Sequence, residues 1–276
     1  VLNALRERLY LLILARRGAL DQRSPDSRFA TTAPTPQTAV DSAAVPWVSR
    51  LPIPGVVAGD AVLFENPRTT WAIQALGGVA GASCLELGPL EGGHSYALDR
   101  ARAERVVAIE ANKDAFLKCL VAKELLGMRS CSFLCGDVIA YLESTADKYD
   151  VCWCAGILYH MVDPVRLLEL VSTRAPKLYI WTHYFDAEKL RGNPTFANGQ
   201  HLAASHDGFA YQLHRQQYGV GRRLRVFSGG TQPHSNWLSL RDLLRALEHF
   251  GWADLQTQLE DHPNGPAVSL VAKQRG

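Results

Sequence analysis

CLELGPLEGGHS, residues 84–95, is the stretch whose reading decides the fold. A short apolar run, SCLEL (83–87), stops at Gly88-Pro89, and a glycine-rich turn then leads into a helix near Ser95–Arg102. Glycines let the backbone turn sharply and let a ligand approach the main chain with no side chain in the way. A tight strand-to-helix turn without a ligand needs the same residues, so the glycines alone leave both readings open.

The next strand, VVAIEA (106–111), adds a second feature: it ends at Glu110, a carboxylate able to accept hydrogen bonds from both ribose hydroxyls of an adenosine. A dinucleotide enzyme would use the same arrangement, but two details argue against it. Leu90 stands where the second glycine of a G-x-G fingerprint would fall, and Glu86 puts negative charge where a pyrophosphate would sit. Such charge repels phosphate and suits a cationic ligand. The third strand, CSFLCG (131–136), runs into Asp137-Val138; Asp137 either accepts from an adenine amino group or caps the following helix. The fourth, DVCWCAGIL (150–158), continues as YHMVDP, with Gly156 permitting close approach and Tyr159 and His160 at the strand mouth. Ligands of open α/β sheets lie beyond the carboxyl ends of the strands, where all four features fall.

Outward from this core, helices are expected at Asn66–Leu76, Lys113–Leu126, Val138–Ser144 and Pro164–Thr173, with a fifth strand at KLYIWTHYF (177–185). That rhythm implies a mostly parallel sheet covered by helices on both faces. It breaks over residues 186–236, a length that suits a lid-like insertion. A helix at Leu238–Phe250 follows, then DLQTQLE (254–260) and AVSLVAK (267–273), which the turn formers DHPNGP join into an antiparallel hairpin. The expected fold is a doubly wound α/β domain over residues 66–276, with a seven-stranded sheet whose last strand is antiparallel. Residues 1–65 form an N-terminal extension. In it Leu2, Leu5, Leu9, Leu12 and Ile13 share one helical stripe, followed by a Ser/Thr/Pro-rich connector over 21–46. The apolar run LYLLILA (9–15) is too short to cross a bilayer, so the helix is expected to pack on the body, over the site, or on a second copy as a homodimer contact.

The formal net charge of 276 residues is only +2, which gives little pull toward nucleic acid. Six cysteines (Cys84, Cys119, Cys131, Cys135, Cys152, Cys154) form no CxxC pair, so buried reduced thiols and a cytoplasmic location are expected.

ELGPLEGG, IEAN, CGDV and YDVCWCAGILYHMVDP, in this order, resemble successive motifs of the class I S-adenosylmethionine-dependent methyltransferases. The resemblance implies S-adenosylmethionine as cofactor. It also implies that Glu86, Gly88 and Gly92 line its methionine end, Glu110 holds the ribose, Asp137 and Val138 frame the adenine, and Gly156 lies at the strand mouth. LYH with its nearby proline also resembles the tRNA wobble-uridine carboxymethyltransferases, which use a carboxylated relative of that cofactor.

A sulfonium is already an activated electrophile, so such an enzyme chiefly aligns an acceptor and excludes water. An oxygen acceptor also needs a base, for which His160 is the first candidate and His183 the second; each also reads as a histidine making a local hydrogen bond. Tyr159 either places its ring against the sulfonium or packs in the core. The insertion holds His201, His206, His214, Tyr211 and Trp237, in no metal-binding spacing, and the basic run Arg222-Arg223-Leu224-Arg225. Near-neutral charge and a lid-sized insertion favour methyl transfer to an oxygen or nitrogen of a small metabolite. Transfer or cyclisation of another arm of the cofactor, a tRNA-modifying role, and a non-catalytic binding module are the alternatives.

Overall fold

A computed structural model of the chain describes residues 29–196, 201–218 and 232–275. It divides into two compact units, Val1–Asp41 and Ser42–Gly276. In the first, the described residues hold a short helix, α1 (Pro36–Asp41). Thr35 starts it, its Oγ1 accepting from the Thr38 amide at 3.1 Å. Pro36, with no amide hydrogen to satisfy, suits the first helical position. The connector expected over 21–46 thus contains a helix that its composition conceals. The Leu2–Ile13 stripe, with the amphipathic helix and dimer contact expected from it, lies outside the described residues, as does Arg222-Arg223-Leu224-Arg225.

The second unit begins with α2 (Pro67–Ala75), β1 (Ser83–Leu87) and α3 (Gly93–Arg100). Next come β2 (Arg105–Glu110), α4 (Lys113–Leu126), β3 (Cys131–Cys135) and α5 (Val138–Ser144). β4 (Val151–Ala155), α6 (Pro164–Ser172) and β5 (Lys177–His183) complete the parallel half. β6 (His201–His206), β7 (Phe209–Gln217) and β8 (His234–Trp237) follow, then α7 (Leu240–His249), β9 (Trp252–His262) and β10 (Gly265–Gln274).

The main sheet has seven strands in the order β3-β2-β1-β4-β5-β10-β9. β1 to β5 are parallel, β10 runs antiparallel to β5, and β9 returns antiparallel to β10 as the hairpin expected from DHPNGP. The order reverses between β1 and β4. Loops from these two strands therefore diverge to opposite faces and open a crevice at their carboxyl ends. Leu85, Leu87, Ile109, Leu168, Ile180, Trp252 and Leu270 lie in the core beneath it. Side-chain caps fix the helix starts: Asn112 accepts from the Asp114 and Ala115 amides, Asp163 from Arg166, and Ser239 from Asp242.

The fourth strand is shorter than its apolar run. It stops at Ala155, because Gly156 turns to φ +85°, and Leu158–His160 form a single 3₁₀ turn that carries Tyr159 and His160. The described residues of the insertion, with Trp237, hold a three-stranded antiparallel sheet β6-β7-β8. Phe209, Tyr211 and Leu213 alternate inward along β7 and join the core. β8 is tied to the rim of the main sheet: the Asn236 amide donates to Met161 O at 2.9 Å and its side chain to Val162 O at 2.7 Å.

Residues 42–65, expected to belong with the N-terminal extension, are held to the sheet domain. Glu91, 1% exposed, accepts from the Val48 and Ser49 amides at 2.9 and 2.7 Å and pairs with Lys118 Nζ at 2.8 Å. Lys118 also donates to Pro46 O at 2.6 Å. Further along, Leu63 crosses the start of α3 so closely that a Cβ on Gly93 would lie 2.8 Å from its carbonyl. This glycine answers to packing of the chain on itself.

Candidate active site

On the β1–β3 side of the crevice the side chains are carboxylates, and main-chain amides hold Glu110 and Asp137. Glu110 ends β2 and is 6% exposed. Its Oε2 accepts from the Leu90 amide at 2.9 Å and its Oε1 from the Asn112 amide at 2.8 Å. Burial raises its pKa, and the amide donors act against that rise. Leu90 reaches it from a left-handed conformation, φ +57°, which a side chain rarely adopts. So the position that lacks the fingerprint glycine still takes a glycine-like backbone. Gly88, Gly92 and Gly156 have φ of +72°, +86° and +85°, and a Cβ on Gly88 would touch Ile157 Cδ1 at 3.4 Å.

Glu86 is turned inward from β1. Its Oε2 accepts from Ser95 Oγ, while Oε1 is buried with no hydrogen-bond donor and lies 3.6 Å from His94 Nδ1. Asp137 is exposed at the start of α5 and caps it, accepting from the Ala140 amide at 2.9 Å. Val138 is 5% exposed and packs in the core.

On the β4–β5 side the rim is aromatic, and it brings together the three candidates Tyr159, His160 and His183. The Tyr159 ring lies 4.1 Å from His160, 4.7 Å from His183, 5.8 Å from Trp181 and 6.1 Å from Trp237. Trp237, from β8, stacks on His183 at 5.2 Å with the planes 8° apart. Burial pushes the Tyr159 phenol above its ordinary pKa, so it stays protonated.

His183 Nδ1 lies 3.0 Å from Gly265 O and 3.3 Å from Pro266 O. Carbonyls only accept, so Nδ1 carries the hydrogen, and in the neutral ring Nε2 is left as the basic atom. Burial lowers the His183 pKa, keeping the ring neutral at pH 7. His160 Nδ1 lies 3.0 Å from Tyr218 Oη. Burial, helped by the neighbouring His183, pushes His160 down to about 4.

Known proteins bear on this geometry. No family model matches the chain. A tRNA U34 carboxymethyltransferase of Helicobacter hepaticus is 33% identical over 57 residues, 21% of this chain and 16% of that protein, so the likeness spans a small part of either. Among solved structures, the N-terminal domain of EvdMO1, crystallised in the presence of SAH and D-fucose, superposes with a TM-score of 0.66 at 21% identity, covering 87% of this chain and 95% of that one. Magnesium protoporphyrin IX methyltransferase (ChlM) from Synechocystis PCC 6803, with bound SAH, gives 0.51 at 16% identity, over 75% and 80%. A 1,6-didemethyltoxoflavin-N1-methyltransferase from Burkholderia thailandensis also gives 0.51, at 15% identity, over 79% and 80%. The chain has the class I methyltransferase fold.

Several residues that shape this methyltransferase-fold rim carry no local signal in the sequence. Arg68, in the first turn of α2, lies over the Trp181 ring at 4.6 Å and 3.6 Å from Glu260 of β9. Tyr218 and Trp237 reach the rim from either side of the segment 219–231. Nothing short of the fold places them beside Tyr159 and His183. The buried Glu91–Lys118 pair spans 27 residues of sequence, and its other partners come from residues 46–49. Burial pushes the thiols of Cys84 and Cys131 up to about 12, and all six cysteines are free; five are buried as expected, whereas Cys135 is exposed at the end of β3. Among the described residues there is no cluster suited to a metal ion, and no helix is long and apolar enough to cross a membrane.

Proposed function

We propose that the protein transfers a methyl group from S-adenosylmethionine to an oxygen or nitrogen of a small metabolite. The observation that carries this reading is the division of one crevice into an acid-lined side and an aromatic side. The acid-lined side fits the cofactor. Each Glu110 oxygen holds one amide hydrogen, so lone pairs remain for ribose hydroxyls, and Glu86 keeps a buried oxygen without a donor. That charge, 1% exposed and poorly screened, favours a cation at the rim and disfavours a pyrophosphate.

Glu110 holds the ribose, Gly88, Gly92 and Gly156 give the cofactor close approach, and Glu86 acts through its field. Asp137 caps α5 and offers its remaining lone pairs to the adenine. When bound, S-adenosylmethionine supplies a methyl group on a sulfonium, and the electron pair of the broken carbon–sulfur bond stays on sulfur. His183, its tautomer fixed by two carbonyls, takes the acceptor's proton on Nε2. Tyr159 and His160 exclude water and hold the His183 ring from the other side. The acceptor wall comes from Phe196, within the insertion 186–236, and from Trp237, just after it. All six thiols are free, which suits a reducing, cytoplasmic setting.

Calorimetry with S-adenosylhomocysteine and with NAD tests the cofactor, and product analysis tests the transfer. Binding of the sulfur nucleoside alone, with S-adenosylhomocysteine as product, is the expected outcome. Filling by the dinucleotide would overturn the reading, and methylthioadenosine as product would move it to another arm of the cofactor. The local likeness to a tRNA U34 carboxymethyltransferase favours a second reading, a carboxylated cofactor used on tRNA. Salt-sensitive tRNA binding and a carboxymethylated product would establish that instead.

A further inference from the structure

One stripe of α4 (Lys113–Leu126) faces away from the core. Lys113, Leu117, Leu120 and Glu124 are all exposed, the two leucines to 57% and 40%. Their spacing of four, three and four residues keeps side chains on one side of a helix. Ala115, Lys118, Cys119 and Ala122 lie on the other side and are buried. Two exposed leucines alone need no explanation. The charges that flank them do. Lys113 is the first residue of α4 and Glu124 lies in its last turn, so each opposes the dipole of its own helix. Among the described residues neither side chain has an ion-pair partner.

We propose that this stripe is a two-fold interface between copies of the chain, with α4 packed antiparallel on its counterpart. Lys113 stands four residues before Leu117, and Glu124 four residues after Leu120, so the stripe is centred between the leucines. A two-fold axis through that centre sets Leu117 on the partner's Leu120 and Lys113 on the partner's Glu124, each twice by symmetry. The leucines then enter gaps between side chains of the facing helix, the packing of an apolar helical seam. The antiparallel order also removes the dipole mismatch. Each lysine reaches the negative end of the neighbouring helix, and each glutamate the positive end. A parallel pair would set lysine on lysine and glutamate on glutamate. An unrelated partner has no reason to match a pattern that is complementary to its own reverse. One helical seam buries less than a standard interface of about 1,600 Å², so the dimer is expected to be weak, with Kd on the order of 10 μM. The pairing makes no use of the crevice and stands whichever group is transferred there.

Sedimentation velocity of the full chain over about 1–300 μM tests the seam, and a mass rising from monomer toward dimer is expected. Lys113→Glu and Glu124→Lys each turn two attractive pairs into two repulsive ones and are expected to raise Kd at least about tenfold. The combined reversal restores opposite charges across the axis and is expected to recover much of that loss. Leu117→Glu is expected to leave the chain monomeric throughout. All these positions are exposed, so thermal midpoints at monomer concentrations should stay within about 2 °C of wild type. A wild-type chain that is monomeric at about 300 μM overturns the proposal. So does a dimer indifferent to both single reversals, or one that the combined reversal fails to recover, since the contact then lies on another surface. A clear fall in the midpoint of Leu117→Glu at monomer concentration gives the stripe a different occupant and overturns it too.

Discussion

On the β1–β3 side of the crevice, the carboxylates other than Glu86, which accepts from Ser95 Oγ, are held by main-chain amides. Glu110 holds the amides of Leu90 and Asn112, Asp137 that of Ala140, and Glu91 those of Val48 and Ser49. On the β4–β5 side, side chains answer to one another: Tyr159, Trp181, His183 and Trp237 touch ring to ring, and three chain segments supply them. The first arrangement is rigid and specific about hydrogen-bond geometry, which suits a cofactor that never varies. The second is shaped by packing, and a new ring or a different insertion reshapes it, which suits an acceptor that differs between enzymes.

The sharpest way to break this contrast is at the pair that anchors the amide-held side. Glu91→Ala leaves Lys118 buried without its carboxylate and frees the Val48 and Ser49 amides. The expected loss is about 3–5 kcal/mol in unfolding free energy, read from urea denaturation. The double variant Glu91→Leu with Lys118→Met removes both charges and is expected to recover much of that loss. If Glu91→Ala costs under about 1 kcal/mol, the connector is not held by this pair, and the cofactor side is less rigid than described.

A crossed pair of variants tests whether the two sides divide the work. Glu110→Gln is expected to weaken S-adenosylhomocysteine about 30- to 100-fold, roughly 2–3 kcal/mol, while kcat at saturating cofactor changes little. His183→Phe fills the same space beside Trp237. It is expected to leave nucleoside affinity alone and lower kcat by about 100-fold on an oxygen acceptor. If both variants shift the same parameter, the division fails.

Acid separates the sides by sign. His160 and His214 have folded pKa values near 4, below the ordinary 6.5, so between those pH values the unfolded chain binds protons that the folded protein does not. Stability therefore falls as pH drops from about 6.5 toward 4, by at most about 3 kcal/mol per histidine and by less where solvent screens the ring. Glu110 acts oppositely, since its pKa is raised in the folded state and protonation there favours folding. The expected outcome is a loss of stability below pH 6.5 that His160→Phe and His214→Phe each reduce. An unchanged slope in both variants would place the acid sensitivity elsewhere.

The same division explains what could be read from sequence. Strands and helix starts on the amide-held side are local: SCLEL is followed by Gly88, Glu110 closes β2, and Asn112 and Asp137 stand where caps stand. Such signals lie within a few residues of the structure they make. The register of β10 on β5, by contrast, places His183 against Ala267, and no pattern near His183 announces the carbonyls of Gly265 and Pro266 that fix its tautomer. The Glu91–Lys118 pair and the Arg68–Trp181 contact are hidden for the same reason. β7 is a different case. Its alternation Phe209, Tyr211, Leu213 and the Asp207-Gly208 turn before it, with φ of +47° and +76°, are local signals of a hairpin, and a reading of 186–236 as one lid-like insertion passes over them.

Asp137 gives the smallest and finest test, because it serves a local role and a ligand role at once. As the cap of α5 it accepts from Ala140, and serine caps a helix about as well as aspartate. Asp137→Ser should therefore leave the thermal midpoint nearly unchanged, whereas Asp137→Ala should lower stability by about 1 kcal/mol. If the remaining lone pairs meet the adenine amino group, both variants weaken S-adenosylhomocysteine alike, by about fivefold. S-inosylhomocysteine, which lacks that amino group, should bind wild type and Asp137→Ser equally. A serine variant with full affinity for the adenine nucleoside would reduce Asp137 to a cap, and recognition of the base would then fall to the walls of the crevice.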